Sequence, residues 1–580
     1  MLSPSTALRG TLPMLLLGDL VLAAVNGACP PLGPVLPAPT NPSAHEIVQS
    51  AAASVEDAFQ NITSTLNATG ISVALKSIHE ESSILELHYT PQYLNPNGTS
   101  SIDGQSVYRL GSISKIFAVM AVLKLCNVKF DDPVTKYVPE LRSLRGETPE
   151  RNDITAVQWD QVTIGALASH MSGIGTDLVA DLASVPGPWT QLGLPELDES
   201  LLPNCAGVLG LPPCDRAQFF DDFGKRHPVY VPFTTPVYSN VASVILGYVV
   251  EAVSNTTYDD FVRRKILEPL GMTNTTIFSG PAEDAWGFIP LGETWWGASL
   301  GYEDMAGGFY SNTADLLAFG SGILRHELLD AAATRKWMKP ASSTSSPGLV
   351  MGGPWEILRS TTATADGRLV EFYCKAGNLN TYNNMLCLIP DYDLVLTILS
   401  GGAESNNRLV DGTLSAVVRE MLPAIEAAGK AQAGALVGGT YSDAASNSSV
   451  TLSLDEGPGF KVSDWVVRGV DVIANYGSYG ALSSGPTEDV TVNVRLYPAG
   501  LDAGSQTAWR AVFDVGTPEE IAAYEEEMFW PSAGCATWGR MDRFVYQFRS
   551  LDDFVIEKNE DGEASTLTLR GFQVDLKREA

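Results

Sequence analysis

The chain has 580 residues, 45% of them hydrophobic, and carries 67 acidic against 37 basic side chains, a formal charge of −30. That length accommodates two domains with cores of their own. The acidic residues are dispersed rather than gathered in a tail, and such a surface repels phosphates and anionic membranes, which argues against nucleic acid as a partner.

From the N-terminus, Arg9, the apolar run Leu12 to Val25 and the small residues Val25-Asn26-Gly27-Ala28 read as a secretory signal over residues 1–27, interrupted only by Asp19. A Pro-rich arm follows at once, from Cys29-Pro30-Pro31 to Pro42, and leads into a helical stretch near Ser43 to Leu66, so residues 28–59 are assigned to arm and helix. Export is expected to the extracellular space. Six N-x-S/T sequons, at Asn61, Asn67, Asn97, Asn255, Asn274 and Asn447, agree with it as glycosylation candidates. No later run of about 18 uncharged apolar residues occurs, so no membrane span is expected.

Two alternating runs, Ile71 to Ile78 and Ser83 to Thr90, predict a hairpin that opens a sheet. Ser112 to Cys126 (SISKIFAVMAVLKLC) reads as a largely apolar helix opened by Gly111, and Leu316 to Leu329 as another. Between them lies a long irregular insertion, Gly173 to Pro232. Its length and its Trp189, Phe219 and Phe220 suggest a lid or pocket wall, with a plain surface excursion as the alternative. Leu369 to Ala376, Tyr382 to Ile389 and Leu394 to Ser400 read as strands returning to the sheet, and Asp411 to Ala427 as the helix closing a domain over 60–427. The small residues Ala428 to Gly434 read as a linker, 428–434. Beyond it, Val450 to Leu454, Val490 to Tyr497, Ala508 to Val515, Phe544 to Phe548 and Thr566 to Val574 alternate between Gly, Asp and Pro breaks. Residues 435–580 therefore read as a small antiparallel β-domain, a barrel or a sandwich.

Seven cysteines suit a large core with a few clips. Cys205 and Cys214 bracket a short Gly/Pro-rich loop and are expected to pair. Cys374 and Cys387 fall on successive strands where they can face each other, stiffening the strand that carries Lys375. Cys29, Cys126 and Cys535 remain, and the sequence does not choose among their pairings.

Chemistry concentrates in three short strings: Ser112-Ile113-Ser114-Lys115, Tyr238-Ser239-Asn240 and Lys375-Ala376-Gly377. Ser112 and Lys115 stand at i and i+3, the same helical face, which sets a nucleophile beside its base. Ser112 at the helix N-terminus has the positive end of the dipole to favour an alkoxide. Desolvation among Ile116, Phe117 and Val119 lowers the pKa of Lys115, so that it can accept the proton. Tyr238 can relay a proton to a leaving group, Asn240 can hold a substrate amide, and Lys375 offers positive charge to a phenolate or a substrate carboxylate. Ser239 or Asn240 also suits the N-cap of the apolar run Val241 to Val250. His170 reads as a structural hydrogen-bonding residue.

The set S-x-x-K, Y-x-N and K-x-G resembles the penicillin-recognising serine enzymes: serine β-lactamases, D,D-peptidases and related esterases. Tyr in the middle motif is similar to the class C β-lactamase and D-alanyl-D-alanine carboxypeptidase branch. Val162-Thr163-Ile164 through Ser169-His170-Met171-Ser172-Gly173, Leu267-Glu268-Pro269-Leu270-Gly271-Met272 and Ala306-Gly307-Gly308-Phe309-Tyr310-Ser311 resemble segments of that branch in the same order. Over about residues 60–425 the resemblance implies an α/β (α+β) fold, an antiparallel sheet flanked by helices with an all-helical lobe, followed here by the β-domain. It also implies Ser112, Lys115 and Tyr238 as catalytic, and Asn240, Lys375, Gly377 and Asn378 as substrate-binding, with an oxyanion hole from the N–H groups of Ser112 and Asn378.

The expected function is a secreted serine hydrolase acting on an ester, amide or β-lactam-type bond of a small-molecule acyl substrate. The alternatives are an acyltransferase or thioesterase-type tailoring enzyme and a catalytically retired ligand-binding scaffold. β-Lactamases usually carry Lys-Thr-Gly in the third motif, and Ala376 here favours another ester, thioester or amide. Gly297-Ala298-Ser299-Leu300-Gly301 matches a G-x-S-x-G nucleophile elbow, but no apolar strand precedes it and only His326 follows, so Ser299 reads as loop. The six histidines are scattered singly, and neither a metal nor another cofactor is expected. The oligomeric state is left open.

Overall fold

The computed structural model describes residues 29–144, 152–176, 182–184, 186–198, 202, 205, 212–292, 295–479 and 491–579. The segment read as a secretory signal lies outside them. Ten strands belong to the first part of the chain: β1 (Gly70–Ser77), β2 (Leu85–Tyr89), β3 (Tyr108–Arg109), β4 (Tyr310–Ser311), β5 (Ser342–Ser343), β6 (Leu349–Met351), β7 (Glu356–Ser360), β8 (Val370–Leu379), β9 (Tyr382–Ile389) and β10 (Leu394–Gly401). Eight form one antiparallel sheet in the order β2-β1-β10-β9-β8-β7-β6-β5, while β3 and β4 pair separately.

Strand alternation divides this sheet between two cores. Ile71, Val73, Leu75, Met385, Cys387, Leu396 and Ile398 meet the helices Glu46–Thr63 and Asn407–Val437 on one face. Ala74, Leu386, Leu388 and Val395 meet the helical lobe on the other. On β8 the same rule sends Cys374 to the first face and leaves Lys375, in phase with Tyr373, on the lobe side. Cys374 lies directly opposite Cys387 and is bonded to it, and Cys205 is bonded to Cys214. The pairing left open is decided by tertiary structure: Cys29 bonds Cys535, and Cys126 is free and exposed.

Three expectations need correction. The residues 428–434 read as a linker are the last turns of the helix Asn407–Val437. Alanines favour helix, and Ala428, Gly429 and Ala433 bury one face of it, so packing outweighs the cost of two glycines. The Pro-rich arm lies along this face, with the N–H and hydroxyl of Thr40 donating to Gln432 at 3.0 Å. Phe219 and Phe220, offered as lid or wall, are buried in the lobe core on the helix Arg216–Phe223, where Phe219 packs on Tyr248 and Tyr302. Trp189 is half-buried, and much of the rest of the insertion lies outside the described residues. The helix expected to hold His326 ends at Leu324, two residues before it.

Nine strands form the second sheet, and pairing of Ser448–Ser453 with Phe460–Val467 closes it into a barrel around Trp465, Trp509, Phe460 and Phe554. This decides between barrel and sandwich. The strands Gly439–Asp443, Phe460–Val467 and Asp553–Lys558 and the helix Pro518–Glu527, which opens with a capping box of Thr517 and Glu520, were not foreseen. Among the described residues no helix is long and apolar enough to cross a membrane.

Candidate active site

The helix that carries Ser112 begins as a single 3-10 turn, Gly111–Ile113, and continues as an α-helix from Ser114 to Leu123. It is buried on all sides, with Phe117 stacked between Phe309 and Phe319 at 4.6 and 4.2 Å. Its N-terminus is held against the end of β8 at backbone contact. Gly111 has φ +57°, and a Cβ there would lie 2.7 Å from the Asn378 carbonyl oxygen and 2.8 Å from its amide nitrogen. A Cβ on Gly377 would lie 2.0 Å from the Leu110 carbonyl oxygen. Gly377 is required by this approach, and Gly111 by both the approach and its left-handed φ. Ser114, the second serine of the first motif, is structural: its hydroxyl donates to the Gly111 carbonyl at 2.6 Å and accepts from the Phe309 N–H at 3.2 Å. Asn384 on β9 ties the end of β3 to the large sheet by donating to the carbonyl of Arg109 at 2.8 Å.

Four residues expected at the site come together. Lys115 Nζ donates to Ser112 Oγ at 2.8 Å and to the Ala306 carbonyl at 3.0 Å. The Tyr238 and Ser112 hydroxyl oxygens are 2.5 Å apart. Lys115 Nζ lies 4.9 Å and Lys375 Nζ 5.4 Å from the centre of the Tyr238 ring. Burial pushes the Lys115 pKa below the ordinary lysine value; Tyr238 opposes this and the charge of Lys375 adds to it. Burial would raise the Tyr238 phenol, but the charges of Lys115 and Lys375 and hydrogen bonds from Lys115 and Ser112 outweigh it and bring its pKa below 10.0.

Tyr238 is placed by the segment Ser169 to Gly173. The His170, Met171 and Gly173 carbonyls accept from the N–H groups of Val237, Phe233 and Val229. His170, buried and at φ 60°, packs its ring, tilted by 31°, against Tyr238 at 4.8 Å, and its Nδ1 accepts from the Ser239 N–H at 3.2 Å. Burial, then Lys375 and Lys115, lower its pKa to about 3, so it stays neutral and structural, as read. Ser239 caps the helix Asn240–Ser254 by accepting from the Ala242 N–H, which makes the second motif a cap as well as a site. Asn240 is the first residue of that helix, half-buried, its N–H donating to the Thr176 carbonyl at 2.8 Å. Asn378 turns its side chain away to donate to Asn383 and Asn407, leaving its backbone beside Gly111.

Glu356 was missed. Its Oε1 accepts from Lys375 at 2.5 Å and its Oε2 from the Ala376 N–H at 2.9 Å. No motif marks it, since only the pairing of β7 with β8, Glu356 opposite Cys374, brings it there. Ser299 is loop, its hydroxyl donating to Asp304 at 3.0 Å.

A family model described as Beta-lactamase matches residues 60–419, and one described as Beta-lactamase-like-like, C-terminal domain, matches residues 429–580. The chain is 28% identical over 572 residues to "Beta-lactamase-like protein" of Arthroderma benhamiae, covering 93% of this chain and 94% of that protein. It is 24% identical over 600 residues to "Probable hydrolase clz13" of Cochliobolus lunatus, covering 95% and 91%. The D-amino acid amidase of Ochrobactrum anthropi SV3 superposes with a TM-score of 0.48 at 17% identity, over 66% of this chain and 99% of that one. The first family model alone spans more than half of the chain, across all three motifs, and the chain belongs to the β-lactamase family.

Proposed function

We propose that this protein is a serine hydrolase that opens an ester or amide of a small molecule through an acyl-enzyme on Ser112. The observation that carries this reading is the position of Ser112 Oγ, within hydrogen-bond reach of both Lys115 Nζ and the Tyr238 hydroxyl. Neutral Lys115 takes the Ser112 proton as Oγ bonds to the substrate carbonyl carbon. The oxyanion is met by the N–H groups of Ser112 and Asn378; the close packing of Asn378 on Gly111, the residue before Ser112, supports this reading. Tyr238 gives its phenol proton to the departing oxygen or nitrogen as the acyl bond breaks, and recovers one from Lys115, which returns to its neutral form. Water then attacks the acyl-enzyme with the same groups in reverse, releasing the acid and restoring the Ser112 hydroxyl.

Water as acceptor is favoured by the relatives titled probable hydrolases. An alcohol or amine in the same place would make the reaction acyl transfer. Export is part of the proposal, supported by three disulfides and by sequon asparagines of which five are exposed. The test is intact-mass analysis after a fluorophosphonate: an adduct on Ser112 that is lost in Ser112→Ala is expected. An adduct elsewhere, or none with a neutral activated ester still cleaved, overturns the reading.

A further inference from the structure

Lys375 and the Ala376 N–H form an anion-binding pair at the end of the site, and the protein fills it with its own carboxylate. Both oxygens of Glu356 are engaged there, one on each donor. Lys375 is only 1% exposed while Glu356 is 24% exposed, so what solvent and substrate meet at this end is the negative group. Lys375 in turn reaches the face of Tyr238, which places Glu356 one residue away from the proton relay. Asp411, exposed on the helix Asn407–Val437, senses that charge: desolvation and then Glu356 push its carboxyl up.

We propose that Glu356 sets substrate class: the site takes esters or amides bearing an amine near the scissile bond and rejects those bearing a carboxylate there. The inference rests on the serine-hydrolase reading above and deepens it. A substrate carboxylate would find its two donors already bonded and the Glu356 carboxylate facing it, whereas an ammonium would be attracted by that carboxylate. Glu356 therefore acts on specificity, in addition to capping the edge of β8 beyond the point where β7 ends.

Three p-nitrophenyl esters of similar length test it: pentanoate, the glutarate monoester, and 4-(trimethylammonio)butyrate. The readout is the ratio of kcat/KM for the cationic over the anionic ester, which cancels any common loss of activity. In the wild type the ratio is expected to exceed about ten, the effect of one charge interaction of about 1.4 kcal/mol in a partly solvated site. Glu356→Gln should lower it about tenfold or more, Asp411→Asn should lower it less, and Glu356→Asp should restore most of it. A wild-type preference for the glutarate ester, or a ratio unmoved by Glu356→Gln, overturns the proposal. Should Glu356→Gln fail to fold, Asp411→Asn and competitive inhibition of the wild type by pentanoate against pentylammonium give the same comparison. Cleavage of the pentanoate ester that depends on Ser112 separates the two readings: with it, a wrong ratio sinks only the specificity inference. Without cleavage of any ester or labelling of Ser112, both fall.

Discussion

The Ser112 and Tyr238 hydroxyl oxygens are 2.5 Å apart although 126 residues separate them in the chain. Lys115 donates to the same Ser112 oxygen and lies over the Tyr238 ring, so serine, lysine and tyrosine form one proton-sharing unit. Lys115 and Tyr238 each shift the pKa of the other, and the Ser112 hydrogen bond lowers that of Tyr238.

Ser112→Ala should abolish turnover of any activated ester, since among the described residues Ser112 is the nucleophile hydrogen-bonded to both Lys115 and Tyr238. Steady-state hydrolysis of a p-nitrophenyl ester checks this, and wild-type rates in the variant would sink the assignment.

Lys115→Ala and Tyr238→Phe should each lower kcat/KM by about 10²- to 10⁴-fold, the usual worth of a positioned acid or base. The double variant should lose far less than the product of the two, because either change already disables the relay. Strictly multiplicative losses would show that the residues act separately. Thermal melts of the two single variants should stay close to that of the wild type for Tyr238→Phe, whose ring contacts are kept.

The acid limb of the pH–rate profile depends on Lys375. Its charge lowers the pKa of both Lys115 and Tyr238, so it keeps the reactive, less protonated form of the pair available at lower pH. In Lys375→Met both groups rise, and the Glu356 charge released by the change acts in the same sense. The acid limb of kcat/KM should then move to higher pH by roughly one unit or more. A limb that stays in place, or moves to lower pH, contradicts this electrostatic arrangement.

Gly377→Ala should damage the site without touching a catalytic group. A Cβ there meets the Leu110 carbonyl at 2.0 Å, which would push β8 away from the Ser112 turn. Overpacking of this kind costs about 1–3 kcal/mol. The expected result is a lowered melting temperature with a larger fall in kcat than in substrate affinity.

Cys535→Ser should destabilise the protein more than Cys214→Ser. The Cys29–Cys535 bond closes a loop of 506 residues and the Cys205–Cys214 bond one of 9. Loop-closure entropy alone makes the longer bridge worth about 3.6 kcal/mol beyond the shorter one. Urea unfolding of the two variants, measured without reductant, makes the comparison; equal losses would mean that the Pro-rich arm contributes nothing when tethered.

Much of this protein was determined by the sequence alone, where the physics is local. Ser112 and Lys115 meet because residues three apart on a helix share a face, and Cys374 and Cys387 meet because a tight hairpin sets them opposite each other. The C-terminal β-domain was readable from periodicity, and the sheet with its helical lobe from the resemblance that the three motifs carry. What the tertiary structure decided involves partners that no short-range rule connects. Glu356 reaches Lys375 through the register of two strands, and Cys29 finds Cys535 across nearly the whole chain. Phe219 and Phe220 looked like lid residues by position, but an apolar pair goes where burial is deepest, and that was the lobe core. The stretch 428–434 looked like a linker by composition, yet its small residues let the arm and the sheet pack close to one long helix, and side-chain burial, a property of the folded whole, overrode the local preference.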